Sequence, residues 1–193
     1  SSINSNVVTL TVTTGSVSIT TQPAPAAVCA GNNASFSITA SGTGLTYNWQ
    51  VSTDGGTTWN NLSPAVTTAL LTLSNVTAGM NNNQYRVTVN GTGGCAGGIN
   101  SNAVTLTINA ATAIATQPVS ASVCTGGNAD LCVTATGNNL SYQWQVGTAG
   151  CSGSFTDIPG ASNACYQITN ATGAMNNLAY RVNVTGACAP VVT

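Results

Sequence analysis

The sequence predicts an all-β chain of two tandem antiparallel β-sandwiches, and three observations carry that reading. First, the chain repeats itself. TQPAPAAVCAGNNASFSITASGTGLTYNWQVST from Thr21 matches TQPVSASVCTGGNADLCVTATGNNLSYQWQVGT from Thr116, and Cys29/Cys124, Trp49/Trp144, Met80/Met175 and Tyr85/Tyr180 each stand 95 residues apart. Second, apolar residues recur with period two, and no segment shows the periodicity of a helix. Third, the breaks are turn chemistry: Asp54-Gly55-Gly56, Asn90-Gly91 and Gly93-Gly94. A repeat of this length suits one small β-domain.

Each strand follows from its own alternation. Phe36, Ile38 and Ala40 alternate with Ser37 and Thr39, and Leu45, Tyr47, Trp49 and Val51 alternate in the next segment. Leu71 and Leu73 continue the pattern, then Tyr85, Val87 and Val89, then Val104, Leu106 and Ile108. Thr, Val and Ile on alternating positions suit half-buried antiparallel strands, and several short strands at this spacing make a sandwich.

These landmarks carry a resemblance. Trp49 sits where an immunoglobulin fold keeps its buried strand-C Trp, and Met80-Asn81-Asn82-Asn83-Gln84-Tyr85-Arg86-Val87 looks like the corner entering strand F, with Tyr85 as the tyrosine corner; Trp144 and Tyr180 repeat this. With VCAG before strand B, YxWQVST on strand C and SNAVTLTI on strand G, nearly the whole chain resembles the tandem immunoglobulin-like repeats of large secreted bacterial surface proteins. That resemblance implies an adhesive or structural role, of which fold alone says little. The chain departs from antibody domains in one respect: Ala40 and Val87 stand where the B–F disulfide would be.

Composition excludes much else. The only bases are Arg86 and Arg181, the only acids Asp54, Asp130 and Asp157, and Lys, Glu and His are absent. General acid–base chemistry loses most of its usual groups. Two Arg make no basic patch for nucleic acid, and three scattered Asp make no calcium cage. A zinc site would lack His, and no Cys-x-x-Cys occurs. The chain is therefore read as neither an enzyme nor a metal or cofactor binder. Hydrophobic content of 42% supports a core rather than disorder. No apolar run approaches the ~20 residues of a membrane helix. With no initiating Met and no signal peptide, the chain reads as a mature product or an excised piece of something longer.

The ends are out of register with the domains. Ile3–Val12 and Ile99–Ile108 are identical at eight of ten positions, with apolar swaps at the other two. The chain thus opens with an extra N-terminal strand G, residues 1–12. Domain 1 follows over 13–109. Domain 2, over 110–193, stops at Cys188-Ala189-Pro190-Val191-Val192-Thr193 without a strand G of its own. A sandwich open at strand F is an aggregation liability. The two ends lie two domains apart, so the natural solution is head to tail. Ile3, Val7, Val8, Leu10 and Val12 of one chain complete the second domain of the next, a contact that makes a filament if it does not close. An array cut one strand out of phase gives the same local picture.

Seven cysteines point to disulfides in an oxidising compartment. Cys29 and Cys95 fall at opposite ends of the first sandwich, about 20 Å apart for strands of this length, beyond the ~7 Å between Cα atoms that a disulfide tolerates. In a string of domains, Cys29 reaches Cys188, and Cys95 faces Cys124 of a neighbouring chain. Pairing within each domain, Cys29 with Cys95 and Cys124 with Cys188, stays open if strand A is placed otherwise. Cys132 and Cys165 both face away from the core on strands B and E, so a cross-strand bond joins them; Cys151 is then left over. Asn-x-Ser/Thr occurs at Asn33, Asn61, Asn75, Asn90, Asn139, Asn170 and Asn183, candidate glycosylation sites wherever a host has the machinery. Trp49, Trp144, Tyr85 and Tyr180 read as core, nothing convergent surrounds Trp59 or Tyr47, and Asp130 and Asp157 read as turn and strand-edge residues.

The function expected is that of a repeating subunit of an extracellular bacterial surface filament, a homopolymer of this chain, glycosylated or bare. The rival is a spacer segment of a giant adhesin. A carbohydrate-binding module would need an exposed aromatic platform or a calcium site, and neither is visible.

Overall fold

The computed structural model describes residues 1–10, 16–92, 98–148 and 154–192. It divides into two compact units. One comprises Ser1–Ala27, Asn33–Asn75 and Gly79–Thr107, the other Val28–Asn32, Val76–Ala78 and Ile108–Thr193. Apart from single 3-10 turns at Ala78–Met80 and Gly173–Met175, the regular structure is strand.

Among the described residues the first sandwich holds ten strands: β1 (Ser18–Thr21), β2 (Ala26–Cys29), β3 (Ala34–Ser37), β4 (Thr39–Ser41), β5 (Thr46–Ser52), β6 (Asn60–Asn61), β7 (Leu70–Leu73), β8 (Gln84–Asn90), β9 (Ile99–Asn100) and β10 (Val104–Asn109). One layer runs β2-β10-β8-β5-β6, with β9 also on β8; the other is built from the pairs β1/β4 and β3/β7. Pro23 and Pro25 lie between β1 and β2. Proline offers no N–H to a ladder, and here the first strand leaves one layer and joins the other.

Alternation decides which residues meet in the core. β8 reads half-buried, buried in strict order. Trp49, Val87, Val89, Leu106 and Val76 are wholly buried, with Phe36 and Leu71 at 1% exposure. Phe36 stacks on Tyr85 with centroids 5.1 Å apart. The Trp49 indole N–H donates to the Thr68 carbonyl at 2.9 Å, so the largest core side chain leaves no polar atom unpaired.

The second sandwich repeats this plan with β11 (Ala113–Thr116), β12 (Ala129–Cys132), β13 (Thr134–Thr136), β14 (Ser141–Gly147), β15 (Phe155–Asp157), β16 (Cys165–Ile168), β17 (Ala179–Gly186) and β18 (Ala189–Val192). Trp144 is again wholly buried and its N–H donates to the Asn163 carbonyl at 2.9 Å. The sheet order here is β15-β14-β17-β18. β18 is the counterpart of β9, the short hairpin strand after the Cys. Nothing among the described residues takes the place of β10 beside the start of β17.

Residues 1–10 form no strand. Among the described residues no strand pairs with residues 3–10, and an isolated strand has nothing to hydrogen-bond with. Among the described residues, no helix is long and apolar enough to cross a membrane.

Candidate functional site

The first unit shows what β10 does. Val104 and Leu106 are buried at 7% and 0% exposure, and Val104 lies opposite Tyr85. Leu106 accepts a hydrogen bond from the Asn82 N–H and donates to the Asn83 carbonyl, both at 2.9 Å. Asn82 adopts φ 66° at this corner. Just upstream, the Ser101 N–H donates to the Val87 carbonyl (2.9 Å), and its hydroxyl accepts from the Val87 N–H (3.0 Å). The Asn102 N–H donates to the Gln22 side-chain oxygen at 2.8 Å. β10 also supplies the edge on which β2 forms.

The second unit has the same surroundings without the strand. Residues 117–124, which match the β2 region, form no strand, and Val119 and Val123 are 76% and 41% exposed. Tyr180, the counterpart of the 2%-exposed Tyr85, is only half-buried, as is Ala129 where Ala34 is buried. A groove of about 720 Å³ opens there, lined by Val119, Val123, Leu131, Ile168, Met175 and Tyr180 among others. Asn177 holds φ 61°, the conformation of Asn82. Burial still raises the Tyr85 and Tyr180 hydroxyl pKa values above the ordinary 10.0.

Of the residues expected to complete such a site, Ile3, Val7, Val8 and Leu10 are 96%, 94%, 89% and 89% exposed; Val12 lies outside the described residues. Four large aliphatic side chains in water within eight residues are unusual for a soluble surface. By the pattern of β10, Val8 and Leu10 match the buried Val104 and Leu106, while Val7 matches the exposed Ala103 and would face solvent.

The structure bonds Cys29 to Cys188, with Cα atoms 5.4 Å apart, and Cys132 to Cys165, at 4.1 Å. The alternative of closing each domain on itself is not adopted. Cys132 and Cys165 are register partners of β12 and β16, both exposed. Cys124 is exposed and unbonded. Cys95 and Cys151 lie outside the described residues.

The candidate glycosylation sites fall in three settings. Asn33, Asn61, Asn75, Asn139 and Asn170 are exposed, and Asn90 is half-buried. Asn75, Asn139 and Asn170 occupy left-handed turns. The Asn33 side-chain oxygen accepts from the Asn75 N–H at 3.0 Å, and that of Asn61 accepts from Asn48 and Gln50. Asn183 sits within β17 with its side-chain oxygen buried and unpartnered, a poor position for a sugar.

Both arginines are held in one device. Arg86 lies 4.2 Å over the Trp59 ring and donates from Nε to Gln50; Arg181 lies 4.2 Å over Phe155 and donates to Gln145. Stacking of this kind is worth about 0.5–1 kcal/mol at exposed sites. Among the described residues no group of His, Cys, Asp or Glu could hold a metal.

Sequence reasoning named the strands but missed Ser101, Gln22 and Asn82, the polar residues that seat β10. Their signal was the recurrence of Ile-Asn-Ser-Asn at 3–6 and 99–102, of Thr-Gln-Pro at 21–23 and 116–118, and of Met-Asn-Asn at 80–82 and 175–177.

Comparison with known proteins agrees with this architecture. Residues 17–110 match the family model of a domain of unknown function, DUF8696. A comparison with curated proteins finds no match. Among solved structures, the chain is similar to DIP-gamma IG1+IG2 (TM-score 0.56, 15% identity, covering 91% of this chain and 93% of that one). It is also similar to the I-band fragment I67-I69 from titin (TM-score 0.64, 14% identity, 92% and 62%) and to Sidekick-1 immunoglobulin domains 1–5 (TM-score 0.60, 15% identity, 88% and 36%). The chain therefore spans less than two thirds of the titin fragment and about a third of the Sidekick-1 structure. At these identities the likeness is one of fold, and the chain is an all-β tandem pair of immunoglobulin-like sandwiches.

Proposed function

We propose that the chain is a non-catalytic structural subunit of an extracellular bacterial surface filament, in which residues 3–12 of one copy fill the groove in the second unit of another. One observation supports this most directly. The strand position that β10 fills in the first unit is open in the second, while a segment nearly identical to β10 stands exposed and unpaired. Strand addition satisfies both at once: main-chain hydrogen bonds supply affinity, and alternate side chains entering the groove supply specificity. The two surfaces differ, so the contact is heterologous and propagates. Two disulfides fit an oxidising, extracellular setting. The partners are further copies of the same chain, with surface glycans where the host attaches them.

A second reading, a spacer within a giant tandem-repeat adhesin, is favoured by the 95-residue internal repeat; the strand would then come from the same polypeptide. Electron microscopy of the purified chain separates the two. The filament reading expects long fibres of uniform pitch, abolished by deleting residues 1–12 and capped by a peptide of residues 3–12. A deletion variant that still forms normal fibres would falsify it.

A further inference from the structure

We infer that the register of this strand addition is set by Ser5, whose hydroxyl takes the role of Ser101 and closes on the backbone of Val182 in a second copy. This rests on the strand-complementation reading and concerns how the groove reads its strand.

Apolar alternation leaves the register open. A slip of one residue would turn Val8 and Leu10 to solvent, but a slip of two keeps the same face inward; in one direction it sets Leu10 and Val12 in the places of Val104 and Leu106, whereas in the other it would bury Asn6 in the place of Val104. The polar contacts of the first unit do discriminate. Ser101 is 7% exposed; its hydroxyl accepts from the Val87 N–H at 3.0 Å and donates to the Asn102 carbonyl at 2.9 Å. Val182 is the counterpart of Val87 and lies opposite Trp144. The Trp144 N–H donates to Ala161 (3.0 Å), and its carbonyl accepts from Ile158 (2.9 Å), both on the side away from β17. Trp144 and Val182 are therefore a non-hydrogen-bonded pair, and the Val182 N–H and carbonyl point to the opposite edge of β17. β18 meets β17 only from Val184 onward, where Val192 holds the place that Ile99 takes opposite Val89, so in this register the incoming strand pairs from Ser5 and not from Ile3. The Val182 pair is thus unmet among the described residues, beside a side chain only 3% exposed.

Ser5 is the residue that matches Ser101 in this register. Its hydroxyl donates to the Asn6 carbonyl at 3.4 Å, as Ser101 does to Asn102, which leaves its lone pairs free to accept. In the same register the Asn6 N–H meets the Gln117 side-chain oxygen, as Asn102 meets Gln22. Leu10 then lies between the Asn177 N–H and the Leu178 carbonyl, as Leu106 lies between Asn82 and Asn83. A slip of two residues leaves main-chain groups to meet Gln117, Asn177 and Leu178, but it takes the only hydroxyl away from Val182.

The test uses the full chain. Thr105 lies opposite Gln84, which places Thr9 opposite Ala179. Thr9→Cys with Ala179→Cys reports the native register, and Val7→Cys or Thr11→Cys with Ala179→Cys reports slips of two residues. Non-reducing peptide mapping identifies the bonded pair. With Ser5 in place, only the Thr9–Ala179 pair should bond between copies. Ser5→Ala leaves the Val182 N–H buried and unpaired, so bonding should spread to the slipped pairs and copies should dissociate about tenfold faster; Ser5→Thr should restore both. Ser5 is exposed in the free chain, so neither variant threatens the fold. In-register bonding unchanged by Ser5→Ala, with assembly intact, overturns the role of Ser5 alone. Copies that neither bond at any of the three positions nor associate overturn strand complementation itself.

Discussion

Asp54 organises a turn almost single-handedly. Its carboxylate accepts from the Thr57 and Thr58 N–H groups, the Thr58 hydroxyl and the Ser52 hydroxyl. Gly55 and Gly56 follow with φ 75° and 93°, a conformation side chains resist. The Thr58 hydroxyl above all, then its N–H and the Ser52 hydroxyl, lower the Asp54 pKa from 3.8 to about 2. A pKa depressed on folding stabilises the native state above the unfolded value and loses that contribution as pH falls from about 4 to about 2. Thermal melts across that window should therefore fall more steeply for the native chain than for Asp54→Asn; parallel curves would remove Asp54 from the account. The sequence showed this Asp-Gly-Gly turn, and it showed Trp49 and Trp144 as core, because local chemistry decides both. It did not show that Trp59 and Phe155 would each carry an arginine, since that pairing joins residues more than twenty positions apart.

Strands were legible where alternation was long. β5, β8 and β10 stand where period two placed them, whereas β6 and β15, two and three residues long, are too short to show a period. The loss of strand structure over 117–124 was illegible for a different reason. Its sequence matches the β2 region, but a strand needs an edge to pair with, and that edge is distant in sequence. The β12–β16 disulfide was readable because both alternations put Cys132 and Cys165 outward. It closes a separation of 33 residues, for which the chain-entropy model gives roughly 3–4 kcal/mol. Calorimetry of the Cys132→Ala, Cys165→Ala double variant should show one transition lowered by that amount and the other unmoved. Two transitions shifted equally would mean that the bond stabilises more than its own sandwich.

For the whole molecule, the internal repeat makes Cys124 the counterpart of Cys29. Cys29 is bonded to Cys188 and Cys124 is free and exposed. In a strand-complemented assembly its partner is Cys95 of the next copy, so assembled material should be covalent. Boiled fibres run without reductant should give a ladder that collapses with reductant to the 19.1 kDa chain. A single band at that mass without reductant excludes the bond. The repeat was plain in the sequence. The groove was not, because it is defined by a strand in the other half of the chain.

The arginine stacking carries a consequence for survival outside a cell. Proteases of trypsin type cut after Lys or Arg, and this chain offers them two bonds, after Arg86 and Arg181. Both lie inside β8 and β17, hydrogen-bonded to β5 and β14 along their length, with the cationic side chains already occupied by Trp59 and Phe155. A protease needs an extended, free segment threaded through its cleft, and here that means pulling a central strand out of the sandwich. Cleavage is then governed by unfolding rather than by encounter, so the scarcity of Lys and Arg leaves digestive enzymes of this class almost nothing to grip.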